Sequence, residues 1–153
     1  MSGETIRIHL KHQADYRFEV QFEGTEIDPL LTDEPPPLGG GTGPNPARLL
    51  GAAVANCLSA SLLFALRKFG NEPGHLQATC ALAPQRNEQG RWRIQSMEVE
   101  IQLGVPWASL KHAERALAQF EDFCIVTQSV RGGIDVKVRV IDSTGAPLAA
   151  PPR

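Results

Sequence analysis

Cysteine is scarce in this chain, with three in 153 residues: Cys57, Cys80 and Cys124. They are too few and too widely spaced for a disulfide scaffold, and no CxxC is present. Charge of either sign is not in excess, since 15 Lys and Arg face 17 Asp and Glu and leave a net charge of -2. Without a basic block, nothing in the electrostatics calls for nucleic acid or an anionic membrane as partner. The opening MSGETIRIHLKHQ lacks the apolar core of a secretory signal, so the expected address is the cytoplasm. The histidines, His9, His12, His75 and His112, fall in separate segments without metal-ligand spacing, and no metal or other cofactor is expected.

What remains is ordinary for one globular domain, with 42% apolar and 21% charged residues. The domain is expected over residues 1–142. The tail from 143 to 153, STGAPLAAPPR, has the composition of a disordered segment.

Residues 5–11 alternate with Ile6, Ile8 and Leu10 on one face, and residues 16–22 repeat this with Tyr16, Phe18, Val20 and Phe22. Both patterns predict half-buried strands joined as a hairpin, with a short third strand within 24–31. The run DEPPPLGGGTGPNP, 33–46, follows too short a segment to be an interdomain linker and reads as a structured loop.

A long helix is predicted over 46–69, with Asn45 as N-cap, Pro46 in the first turn and Gly70 as terminator. No charge occurs between Leu49 and Leu66, so its length admits a membrane span. Asn56, Ser59, Ser61 and the flanking amphipathic strands favour instead a helix buried on every side. In so small a domain that burial calls for a second subunit.

Residues 75–83 and 91–103 read as strands around a turn at Glu88-Gln89-Gly90. Trp92 and Ile94 are out of phase with Met97, Val99, Ile101 and Leu103, which predicts a bulge near Ser96. Pro106 opens a predicted helix with Trp107, Leu110, Ala113, Leu117 and Phe120 at helical spacing, followed by a short helical turn over 125–130. The last strand carries Ile134, Val136, Val138 and Val140. The element order predicts an α+β fold with helices packed on mainly antiparallel sheet.

Cys80 shares its strand phase with Leu76, Ala78 and Leu82 and reads as a small hydrophobe. Cys57, in mid-helix, reads the same way when taken alone. Cys124 precedes a helical turn whose free N–H groups favour a thiolate.

The stretch GTGPNPARLLGAAVANCLSAS (41–61) with CIVTQSVRGGIDVKVRV (124–140) resembles the OsmC/Ohr family of organic hydroperoxide reductases, as a divergent member. The likeness covers nearly the whole chain to about residue 141. It implies an OsmC-like fold around a long buried central helix and an intertwined homodimer with interfacial sites. It also implies that the Cys57 thiolate reduces alkyl hydroperoxides, that Cys124 closes a disulfide, and that an external dithiol of lipoyl or thioredoxin type reopens it. Leu58, Leu62, Phe64 and Phe123 would supply apolar surroundings.

The family places an arginine in the loop before the helix and a glutamate just after Asn-Pro. Here Ala47 follows Pro46, and no arginine occurs between Arg17 and Arg48. Either Arg48 and Glu34 exchange these roles as cation and carboxylate, or they are surface charges, a choice that burial decides. A non-catalytic pocket for a small apolar ligand, a redox sensor and thiol chemistry on another electrophile are the competing expectations.

Overall fold

The computed structural model describes residues 3–148. They fall into two compact units that divide between Leu50 and Gly51.

The first unit is an antiparallel sheet in the order β1 (Ile8–Ala14), β2 (Arg17–Phe22), β3 (Leu30–Thr32). Asp15 turns the hairpin with φ 51, and Leu10 faces Val20, which faces Leu30. The alternation is real, yet Val20 is the buried apolar residue of β2 while Ile8 and Leu10 of β1 stay 51% and 60% exposed. The half-buried face predicted for the first strand is therefore an open apolar face in the single chain, because nothing in this unit covers it.

The Pro- and Gly-rich segment is the structured loop that was expected, and Asp33 organises it. Its carboxylate accepts the N–H of Glu34 (2.8 Å), of Gly40 (3.2 Å) and of Thr42 (3.1 Å), and the Thr42 hydroxyl (2.8 Å). These donors hold the Asp33 carboxyl below its ordinary range, the Thr42 N–H foremost, against the opposing effect of burial.

The helix α1 spans Pro46–Lys68. Asn45 caps it, its Oδ1 accepting the Arg48 N–H at 3.0 Å. It ends in a Schellman turn: Gly70, with φ 78, donates to Arg67 O and Asn71 donates to Leu66 O. Val54, Leu58, Leu62, Ala65 and Leu66 recur at helical spacing and are buried. Ala53, Asn56, Ala60 and Phe64 form an opposite stripe that is exposed, so burial on every side is not reached within one chain.

In the second unit, β4 (Gln77–Arg86), β5 (Trp92–Gln102) and β6 (Asp135–Ile141) form a sheet in that order. β4 and β5 are antiparallel, whereas β5 and β6 are parallel, as in Val99 beside Val138. Leu82 pairs with Met97 but Pro84 with Ile94, so β5 carries the extra residue of a bulge at Gln95 and Ser96. That bulge puts Met97, Val99, Ile101 and Leu103 into the core. Gly51 lets α1 approach β4, since a Cβ there would lie 2.9 Å from Leu82 Cδ2 and 3.5 Å from Cys80 Sγ.

The single helix predicted after Pro106 is broken. A 3-10 turn at Trp107–Ser109 and α2 (Ala113–Gln119) are separated by His112 at φ 54. The cause lies far away in sequence: Asn71 binds both the N–H and the carbonyl of Lys111, at 2.7 and 2.8 Å. A second 3-10 turn, Phe120–Phe123, leads to α3 (Ile125–Val130).

The tail expected to be disordered begins at 143. Residues 143–148 contain a turn in which the Asp142 carboxylate accepts the N–H groups of Thr144 and Ala146 and the Thr144 hydroxyl. The same carboxylate takes the Trp107 N–H, while the Trp107 indole donates to Ala146 O. Residues 149–153 lie outside the described residues.

Candidate active site

Cys57 sits midway along α1 and is half-buried. Ser59 turns its hydroxyl back to Ala55 O (2.7 Å), so it is satisfied within the helix. Cys124 stands at the junction of the second 3-10 turn and α3 and is fully buried. Its N–H donates to Glu121 O (3.1 Å) and its carbonyl accepts the Gln128 N–H (3.0 Å).

Cys57 lies near enough to Cys124 to bear on its ionisation. Burial raises the Cys124 thiol above its ordinary value of 9.0, and the neighbouring Cys57 raises it further. The Thr127 hydroxyl and amide oppose both. Cys124 donates its S–H to Thr127 Oγ1 at 2.9 Å. Both cysteines are free thiols, as is Cys80, which burial also pushes up.

The charged residues singled out in the sequence are arranged differently. Arg48 is exposed in the first turn of α1, and Glu34 is half-buried in the loop. Among the described residues no ion pair joins Arg48 to Glu34 or to any other carboxylate. Of the apolar residues expected around the sulfur, Leu58 and Leu62 are wholly buried core, whereas Phe64 and Phe123 are 66% and 67% exposed.

An Arg–Glu pair does exist beside Cys124, where sequence reasoning did not look. Glu121 and Arg131 form a short ion pair, and Arg131 also donates to Val136 O (3.1 Å). It ties the turn before Cys124 to the end of α3. Thr127 was missed as well. Its spacing of three from Cys124 at a helix start was the available signal, since that spacing lets side chains meet.

The class so defined is an α+β protein with one free thiol in mid-helix and a second at the start of a short helix. A model of the family described as OsmC-like protein matches residues 39–139. The chain belongs to the OsmC-like family. No curated protein matches it.

Solved structures agree on the fold. An organic hydroperoxide resistance protein OsmC from Legionella pneumophila superposes with a TM-score of 0.70 at 17% identity, covering 93% of this chain and 99% of that one. An OsmC-like protein from Mycoplasma pneumoniae gives 0.72 at 14% identity, covering 92% and 99%. The organic hydroperoxide resistance protein OhrB of Bacillus subtilis gives 0.64 at 17%, covering 90% and 98%.

Proposed function

We propose that this protein reduces organic hydroperoxides to alcohols, with Cys57 as the thiol that is oxidised and Cys124 as the thiol that resolves it. The observation that supports this reading best is that the half-buried Cys57 lies near enough to the buried Cys124 to bear on its ionisation. The Cys57 thiolate attacks the distal peroxide oxygen; the O–O bond breaks, the alkoxide leaves and takes a proton, and a sulfenic acid remains on Cys57. The Cys124 thiolate then attacks that sulfur; the S–S bond forms, the S–O bond breaks, and hydroxide departs as water with the proton Cys124 gave up. An external dithiol of lipoyl or thioredoxin type reduces the disulfide and leaves oxidised in its place.

In this reading Arg48 is the cation for the Cys57 thiolate and Glu34 its carboxylate, although the single chain does not pair them. The working form is a homodimer. The exposed stripe of α1 and the open apolar face of β1 favour it, since contiguous apolar faces of this kind mark interaction surfaces. Its place is the cytoplasm, where free thiols persist.

One observation favours a second reading, a pocket that binds a small apolar ligand without catalysis: an exposed Arg48 with no carboxylate partner among the described residues is a poor activator of a thiolate. Hydroperoxide consumption with a dithiol reductant separates the two. Native protein should turn over cumene hydroperoxide, Cys57→Ser should not, and Cys124→Ser should stall with Cys57 as a sulfenic acid. A native protein that consumes no alkyl hydroperoxide would leave only the binding reading.

A further inference from the structure

We propose that Thr127 is a positioning residue for the resolving thiol: its hydroxyl holds the Cys124 sulfur toward Cys57 and stabilises the thiolate that Cys124 becomes when it attacks. This inference rests on the hydroperoxide-reductase reading.

Thr127 and Cys124 are both fully buried and hydrogen-bonded to one another at 2.9 Å. Burying a hydroxyl is unfavourable without a partner, and a Val of the same shape would fill this place without that cost. The polar choice is therefore satisfied by the sulfur. Both backbones are anchored in α3, the Cys124 carbonyl by the Gln128 N–H and the Thr127 carbonyl by the Arg131 N–H, each at 3.0 Å. The sulfur is thus held at both the main chain and the side chain.

The chemistry requires this bond to work in two directions. With Cys124 protonated, S–H donates to Oγ1, as observed. When the thiol gives up its proton, the hydroxyl turns and donates O–H to the thiolate, a charge-assisted bond stronger than the first. Thr can accept and then donate, whereas Val can do neither. Among the leading influences on the Cys124 thiol, burial and Cys57 resist its ionisation and Thr127 favours it. Removing the hydroxyl leaves the resolving step with less nucleophile at neutral pH, while the first step, oxidation of Cys57 by the hydroperoxide, does not need it. In the resolving step the Cys57 S–O bond is exchanged for an S–S bond, and no further oxidant is consumed.

The test isolates one thiol. In a Cys57→Ser, Cys80→Ala background, Cys124 is titrated by the ultraviolet absorbance of its thiolate, with Thr127 native or replaced. Thr127→Val should raise the midpoint by about one pH unit, equal to about tenfold less thiolate at neutral pH. Thr127→Ser, which keeps the hydroxyl, should titrate like the native residue. Thr127→Ala reports the same loss of hydroxyl in a smaller side chain should Val not pack.

In the enzyme with all three cysteines, Thr127→Val should leave the rate of sulfenic acid formation unchanged. The pH profile of disulfide formation should move upward to match the titration. An unshifted midpoint in both Val and Ala variants overturns the inference, and so does a Ser variant that shifts as far as Val, since packing would then be the cause. The titration involves no peroxide, so it can fail while hydroperoxide turnover succeeds, and the reverse.

Discussion

Asn71 grips the backbone of Lys111 from forty residues away, accepting its N–H at 2.7 Å and donating to its carbonyl at 2.8 Å. The same side chain donates to Leu66 O at 3.1 Å, where α1 ends. One buried amide thus closes the long helix and interrupts the next.

Asn71→Leu leaves three backbone groups without their partner, at a cost of about 3 kcal/mol. The urea midpoint should fall with little change in slope. An unchanged midpoint would mean that water replaces the amide fully.

Asp33 and Asp142 each fold a turn around an ionised carboxylate, and both are held below the ordinary value of 3.8. For Asp142 the Thr144 hydroxyl is the leading cause. A depressed folded value means the stabilisation is present above the unfolded value and is lost as pH falls through the folded one. The protein should therefore lose stability from about pH 4 downward. Asp33→Asn and Asp142→Asn should each be less stable than native at neutral pH and show a shallower acid dependence in thermal melts. Equal acid slopes in native and variant proteins would count against this.

The alkaline limb has the opposite sign. Cys80 and Cys124 are both raised by burial above 9.0, so the folded state keeps protons that the unfolded chain sheds. Their contribution is intact below the unfolded value and is lost as pH rises through the folded ones. Native protein should weaken above about pH 9, and a Cys80→Ala, Cys124→Ala variant should weaken less steeply over the same range.

The pair Glu121–Arg131 is partly exposed, 34% and 30% by side chain, so its direct value is modest, about 0.5–1 kcal/mol. Its effect should be local. Arg131→Leu removes the tie and the bond to Val136 O together, and amide hydrogen exchange over residues 125–130 should accelerate several-fold while the exchange of β5 stays as it was.

Much of the architecture was legible from spacing. Alternation marked β1, β2, β4, β5 and β6, and the Asn45-Pro46 opening with the Gly70 stop marked α1 almost to its ends. The phase change between Ile94 and Met97 located the bulge before any pairing was known, because period-two patterns register a single inserted residue. The family pattern around Cys57 and Cys124 was likewise readable. The helix break at Lys111 and His112 was not, since its cause is the distant Asn71 and the local periodicity from Trp107 to Phe120 is that of an unbroken helix. The setting of the site's charges was not legible for a related reason: position in a motif does not report burial. Arg48 proved exposed and unpaired with Glu34, while Arg131 and Glu121 found each other.

The sequence by itself determined which segments become strand or helix and which thiols stand at a helix centre and a helix start, because local patterning depends on neighbours a few residues away. Tertiary structure alone decided that Cys57 bears on the ionisation of Cys124, that a threonine takes the Cys124 sulfur's hydrogen bond, and which faces of α1 and β1 remain open. Those outcomes depend on contacts between residues tens of positions apart, whose geometry no local periodicity encodes.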